Sequence, residues 1–315
     1  MTGKPENFLD GFLGTGVITA ELLKYGIRKI TVVDNLLLNT TIFKGFSACP
    51  KNLKEIKKHL DILNSLPGKS GYLTKHYAQS YFTKENCELM DNVRETINNL
   101  YLSNLLNDDE YHYLLTSFLL GADRIANTIG QYDAFLKHIG KAAYKKGRHI
   151  VDVRVYSPFK LRTLELIPAA DFDILTADLL ECLDKIDCET AYFDPPYNAR
   201  QYCDNYHVLE NIARWQKPDL FGVTKKFNRS HLKSSFSQRR QVKKSFCDLL
   251  SLVRAKHIFI SYNSEGLINI DDLYKILLQF GSVRKWEFPY PVFGKGAGVA
   301  KKRKITEYLF YIRKS

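Results

Sequence analysis

A chain of 315 residues that is 45% hydrophobic and 25% charged is one large globular domain or two modest ones; it is not disordered, collagen-like or a disulfide scaffold. Its 46 Lys and Arg against 34 Asp and Glu leave a formal charge of +12, and that charge is concentrated in two stretches. Residues 198–245 hold 11 basic against 3 acidic side chains, and residues 295–304 hold 5 basic and no acidic ones, a distribution that suits a polyanionic partner, nucleic acid above all. The six cysteines form no Cys-x-x-Cys pair, so neither a zinc knuckle nor a disulfide framework is indicated and a reduced cytoplasm fits. The first residues lack a basic leader with an apolar core, and no apolar run is long enough to span a bilayer; a soluble chain without a membrane partner is expected.

In chain order, NFLD, GFLGTG, VITAELLKYG and IRKITVVDN read as strand, tight turn, helix and strand. Gly14 and Gly16 permit backbone geometry that a side chain opposes, and the β-branched run at 30–33 suits a strand covered on both faces. From about residue 41 the pattern becomes helical and moderately polar. ENCELMDNVRETINNLYLSNLL and EYHYLLTSFLLGADRIANTI carry apolar residues at helical spacing, with Tyr101, Tyr111, Tyr113 and Phe118 expected in a core. A second α/β block follows, with strands expected at 173–176, 190–193, 257–261, 283–288 and 306–312, helices at 241–255 and 271–280, and a C-terminal hairpin.

Two segments carry chemistry. FLDGFLGTG is a glycine turn at the end of a first strand, and Asp34, 18 residues past Gly16, is an acid at the end of the second. Such a turn lets a cofactor approach the backbone, and such an acid can accept hydrogen bonds from ribose hydroxyls. Thr19 stands where the G-x-G-x-x-G fingerprint has its third glycine, so this is not the dinucleotide pattern. The sharper segment is AYFDPPYNARQY, in which an apolar strand ends at Asp194, Pro195, Pro196 and Tyr197. Two prolines in succession hold the chain extended, so the Asp194 carboxylate and the Pro195 carbonyl can converge as acceptors for the two hydrogens of an exocyclic amine. Tyr197 offers a flat face to an extruded base.

At these residues the sequence resembles the amino-group DNA methyltransferases that use S-adenosylmethionine, specifically the adenine-N6 enzymes of bacterial restriction-modification systems. Within them it is most similar to type II enzymes whose catalytic segment continues DPPYN-x-RQY, as residues 194–202 do here. SYNSEGL at 261–267 and ITEYLFYI at 305–312 match later stretches, and the motif order is that of the group containing the Dam-type enzymes. The resemblance implies an α/β, Rossmann-like S-adenosylmethionine-dependent methyltransferase sheet with a helical insertion. Residues 1–40 and 166–315 would form the catalytic core, and residues 41–165 a mostly helical insertion that recognises the target. Asp194, Pro195, Pro196 and Tyr197 would be catalytic. Asp10 and the turn containing Phe12, Gly14, Thr15 and Gly16 would hold the methionine part of the cofactor, Asp34 its ribose and Asp178 its adenine amine. No metal is called for, and the eight histidines show no ligand spacing.

Enzymes of this order carry a further cofactor-contacting segment ahead of the turn, with a Gly-x-Lys-like contact and an amphipathic helix. Here the turn begins about ten residues from Met1, so a second chain completing the cofactor site is one expectation. The partner expected first is double-stranded DNA, held at its phosphates by Arg200, Lys225, Lys226, Arg229, Arg239, Arg240, Lys243 and Lys244, with the loop GKGAGVAKKRK at 294–304 adding to them. A cognate restriction endonuclease is the second expected partner. An RNA adenine methyltransferase and a DNA-binding subunit that needs a partner chain are the alternative readings. Cytosine-N4 methylation is disfavoured, since those enzymes more often have Ser where Asp194 stands.

Overall fold

The computed structural model describes residues 3–128, 130–137, 139, 144–145, 148–149, 153–292 and 303–315. In chain order, β1 (Phe8–Asp10), α1 (Val17–Lys24) and β2 (Lys29–Asp34) precede α2 (Leu37–Ser47), α3 (Leu53–Asn64), α4 (Tyr72–Tyr77), α5 (Lys84–Leu102) and α6 (Asp108–Arg124). A short ladder of β3 (Tyr144–Lys145) and β4 (Arg148–His149) leads to β5 (Asp171–Thr176), α7 (Leu179–Cys182) and β6 (Thr190–Phe193). The chain continues through α8 (Tyr202–Asn205), α9 (His207–Arg214), α10 (Val242–Leu252), β7 (His257–Asn263) and α11 (Ile270–Leu277), and ends in β8 (Gly281–Val292) and β9 (Arg303–Lys314).

These elements form two compact units. The first comprises Met1–Leu36, Ala170–Gln201 and His231–Ser315. Its seven-stranded sheet runs β5-β2-β1-β6-β7-β9-β8, with every pair from β5 to β7 parallel and β9 and β8 added antiparallel, a Rossmann-like methyltransferase arrangement. Leu9, Val33, Ala191, Phe193, Ile258 and Ile260 are buried, as a parallel sheet covered on both faces requires. Phe246 with Leu250 and Leu273 with Leu277, each pair four residues apart on its helix, face the same core. β8 contains Pro289 and Pro291, which an edge strand tolerates because its outer N–H positions have no ladder partner. Strand order reverses between β1 and β6, since β2 and β5 lie to one side of β1 and β6 to the other. In open α/β sheets the crevice beyond the carboxyl ends of the strands at such a reversal is where ligands bind.

The second unit comprises Leu37–Ala169 and Tyr202–Ser230. Residues 202–230 therefore cluster with the helices, whereas the sequence resemblance assigns them to the catalytic core. Long-range contacts are the reason: α9 is buried over nearly its whole length, with the Glu210 carboxylate accepting the Leu37 and Leu38 N–H groups that open α2 and pairing with Arg214. On α5, Asp91 accepts the amides of Gly71, Leu73 and Thr74 at the start of α4. Arg94, also on α5, donates to the Ile212 and Ala213 carbonyls at the end of α9. Buried polar groups thus supply the caps that helix ends need. Tyr113 and Phe118 are in the core as expected, whereas Tyr101 and Tyr111 stack on each other, centroids 4.1 Å apart, only half-buried. No helix of the described residues is long and apolar enough to cross a membrane.

Candidate active site

Four acids line the carboxyl edge of the parallel strands. Asp10 ends β1, Asp34 ends β2, Asp178 follows β5 and Asp194 follows β6. The charges of Asp194 and Asp34 both act on Asp10 and raise its carboxyl.

The turn after β1 is fixed by its backbone. The Gly16 N–H donates to the Leu13 carbonyl at 2.8 Å, and the Leu13 N–H donates to the Val33 carbonyl of β2 at 3.0 Å. Gly14 and Gly16 sit at φ +52° and +74°, in the left-handed region that glycine occupies without strain. Asp34 holds the turn as well as standing where the resemblance puts a ribose: its Oδ2 accepts the Gly14 N–H at 2.9 Å and its Oδ1 the Leu36 N–H at 2.8 Å. A Cβ on Gly14 would meet nothing nearer than the Phe12 carbonyl at 3.8 Å, so the turn is open in front of that glycine. Gly14→Val is expected to strain the turn and fill this space, weakening binding of the S-adenosylmethionine that the resemblance implies by about tenfold or more in calorimetry. Phe12 is wedged edge-on against Phe193 and Phe236, and Thr15 is exposed on the turn.

Asp10 is 1% exposed. Its Oδ2 accepts the Thr19 hydroxyl at 2.7 Å, while Oδ1 is buried without a hydrogen-bond partner of good geometry. Burial pushes its carboxyl up to about 6, against the opposing pull of Thr19 and, more weakly, of the Phe12 amide. An under-satisfied buried carboxylate of this kind is an acceptor set for a cationic or hydrogen-bonding group. Asp178 caps α7, accepting the Leu180 N–H at 2.9 Å.

At the end of β6, Pro195 and Pro196 are buried and Tyr197 is half-buried against the core. The Tyr197 carbonyl accepts the Leu267 N–H at 2.8 Å. Asp194 is exposed as a residue, yet its carboxyl is partly desolvated by the protein around it. That desolvation, and then the charge of Glu307, push it up to about 6, with the Ser261 hydroxyl opposing. Because the residue is exposed, solvent screens part of this push.

Several residues here went unremarked in the sequence. The Gly11 N–H donates to the Tyr192 carbonyl at 3.0 Å, and a Cβ on Gly11 would lie 2.5 Å from the Phe193 ring, so β1 and β6 approach closely only because this residue is glycine. Gln201 brackets Ser234, donating to its carbonyl at 3.0 Å and accepting its N–H at 2.8 Å, which pins the end of the catalytic segment. Ser261, Asn263 and Glu307 lie behind the catalytic turn, and only their place in SYNSEGL and ITEYLFYI hinted at a role.

The basic residues divide. Arg229 is buried, ion-paired with Asp204 and donating to the Phe227 carbonyl, so it is a fold residue and not the phosphate contact expected of it. Lys226 pairs with Asp133, Lys243 with Asp272 and Lys244 with Asp248. The Lys243 and Lys244 pairs are exposed, and such pairs are weak enough for a phosphate to displace. Arg239 and Arg240 are exposed on the first unit, as is Arg200, whose N–H donates to Asn198 Oδ1 at 2.9 Å; Lys225 is half-buried on the second unit. Arg239→Glu with Arg240→Glu is expected to weaken duplex binding about tenfold or more and to flatten its salt dependence by a slope of about two, read by fluorescence anisotropy over a salt series. Residues 294–302 of the glycine-lysine loop lie outside the described residues.

With this geometry in place, comparison with known proteins is direct. The chain belongs to the D12 class N6 adenine-specific DNA methyltransferase family, whose family model matches residues 2–276. It is 32% identical over 99% of its length to modification methylase StsI of Streptococcus sanguinis, and 29% identical over 98% to type II methyltransferase M.FokI of Planomicrobium okeanokoites. It spans 48% of each of those two proteins, about half their length. It is also 28% identical over 98% of its length to type II methyltransferase M.NlaIII of Neisseria lactamica, of which it covers 91%.

Proposed function

We propose that this chain transfers a methyl group from S-adenosylmethionine to the N6 of an adenine flipped out of double-stranded DNA at a fixed short sequence, as the modification half of a restriction-modification system. The observation that carries this reading is the placement of the Asp194 to Tyr197 turn and the glycine turn at the carboxyl ends of adjacent parallel strands, on the two sides of the strand-order reversal.

The residues present fit the cofactor. S-adenosylmethionine when bound supplies a methyl group on a cationic sulfonium, and its ammonium and hydroxyl groups are donors that acidic and carbonyl acceptors suit. Asp10, with its unpartnered buried oxygen, and the turn of Phe12, Gly14, Thr15 and Gly16 would hold the methionine part, Asp34 the ribose and Asp178 the adenine amine. The adenine N6 is a poor nucleophile because its lone pair is delocalised into the ring. Accepting its two hydrogens at the Asp194 carboxylate and the Pro195 carbonyl localises that pair. Positive charge would grow on N6 as it gains the methyl group, and the two acceptors stabilise it. The proton N6 then sheds would go to Asp194. Tyr197 offers its ring as the stacking face for the flipped base.

The helical unit is the proposed reader of the target sequence, and exposed Arg200, Arg239 and Arg240 on the catalytic unit, with Lys225, the proposed phosphate contacts. Calorimetry with S-adenosylmethionine and its demethylated product tests the cofactor part. Binding by the chain alone supports it, whereas binding only after a second polypeptide is supplied supports a split cofactor site.

A further inference from the structure

We propose that Asn263 and Glu307 act as a positioning couple behind the catalytic turn, the Asn263 amide joining the Tyr197 phenol to the Glu307 carboxylate so that the stacking ring and the charge behind Asp194 are set together. The inference rests on the methyltransferase reading above and deepens it.

Asn263 ends β7 and is 2% exposed. Its Oδ1 accepts the Glu265 N–H at 2.9 Å, which settles which way the amide faces and leaves its two N–H donors for other partners. The sheet register sets Asn263 between the segment that follows β6 and Glu307 of β9, and its amide acts on both the Tyr197 phenol and the Glu307 carboxyl, favouring their charged forms. The sheet register brings the couple together: Asn263 lies directly opposite Glu307 in the antiparallel β7–β9 pair. Beyond that pair the ladder continues, with the Ser264 N–H donating to the Thr306 carbonyl at 2.9 Å and the Thr306 N–H donating to Ser264 Oγ at 3.1 Å. Tyr197 is held at its carbonyl by the Leu267 N–H, while the Asn263 amide acts on its hydroxyl. Two residues back along the same face of β7, Ser261 reaches Asp194 and Tyr192, while the intervening Tyr262 is buried in the core.

A purely structural cap at a strand end does not account for the acid. Glu307 is partly desolvated, which lifts its own carboxyl above the ordinary range, and its charge acts on Asp194, Tyr197 and Tyr192. The titratable groups facing Asp194 are Asp10 from β1, Tyr192 from β6, Tyr197 from the turn and Glu307 from β9, with Glu265 acting on Tyr197. A second negative charge here is unfavourable for the resting fold and favourable when N6 turns cationic.

The test uses the full chain with carbon-13 at its aspartate carboxyls, Asp194 being assigned from the signal lost in Asp194→Asn. Glu307→Gln keeps an oxygen for the Asn263 amide and removes only the charge. It is expected to lower the Asp194 titration midpoint by about half a pH unit or more. The acidic limb of kcat for duplex DNA methylation should move the same way, with KM for DNA within about twofold, while Glu307→Asp keeps both near the wild-type positions. Asn263→Ala should lower kcat by about tenfold or more through the released ring. An unchanged Asp194 midpoint in folded Glu307→Gln overturns the proposal, and this reading stands even if Asn263→Ala fails to fold. The titration needs no substrate, so a wild-type chain that shows the coupling but methylates nothing would refute the methyltransferase reading alone.

Discussion

Asp194→Ala is expected to bind duplex DNA about as tightly as the wild type and to transfer methyl groups about a hundredfold to a thousandfold more slowly, the usual loss when one aimed electrostatic partner of a transition state is removed. The two effects separate because phosphate contacts dominate affinity, and the proposed ones lie on other residues. Asp194 is an exposed residue at the end of β6, followed by buried Pro195 and Pro196, and is not part of the hydrophobic core, so truncation removes the acceptor without loosening that core. The same residue sets a pH dependence. In the proposed reaction it acts ionised, and its surroundings push its carboxyl up to about 6, so the wild-type rate should fall as pH drops through that region while DNA binding stays level. A single-turnover rate measured across pH, beside an anisotropy titration of DNA at each pH, checks both halves. An alanine variant that keeps most of its rate would remove Asp194 from the chemistry.

Asp10→Asn should have two opposite effects, a more stable fold and a weaker cofactor site. The wild-type carboxyl is 1% exposed, lacks a partner at Oδ1 and is raised from 3.8 to about 6. A raised carboxyl contributes its stability fully below the unfolded value and loses it as pH rises through the folded value, so ionised Asp10 weakens the fold above about pH 6. At about 1.4 kcal/mol per pKa unit the cost is on the order of 3 kcal/mol, and an unpaired amide N–H in the variant cancels about half of the gain. Thermal melts near pH 8 should therefore show Asp10→Asn more stable by about 1–2 kcal/mol, an advantage that shrinks steadily as pH is lowered from 6 toward 4. Calorimetry on the same protein should show S-adenosylmethionine bound at least about tenfold more weakly. A variant that loses stability at pH 8, or binds the cofactor unchanged, would contradict the assignment of Asp10 as a functional acid held at a cost to the fold.

What could be read from the sequence follows from how local each feature is. The Asp194 to Tyr197 turn was legible because two prolines restrict the backbone whatever surrounds them. The glycine turn and Asp34 were legible because a strand, a turn and a second strand lie within one short β-α-β unit. The C-terminal hairpin of β8 and β9 declared itself through its flanking strand patterns. Features that depend on distant pairing were hidden. Arg229 looked like one more base in a basic run, and only the fold brings Asp204 to it and buries its charge. Residues 202–230 follow the catalytic turn directly, yet the apolar face of α9 and the capping carboxylate of Glu210 draw them to the helical unit. Gly11 reads as an ordinary turn residue until β6 is laid beside β1 and the Phe193 ring occupies the place of its missing side chain. Asn263 and Glu307 are separated by α11 and all of β8, and no local pattern links them before the β7–β9 register does.

The most direct measurement gives the purified chain S-adenosylmethionine with a labelled methyl group and, in separate reactions, duplex DNA, single-stranded DNA and RNA, followed by mapping of the labelled base. The account predicts label in duplex DNA, as N6-methyladenine at one short recurring sequence, absent from the Asp194→Ala protein. Label confined to RNA, label on cytosine, or no label until a second polypeptide is added would contradict it.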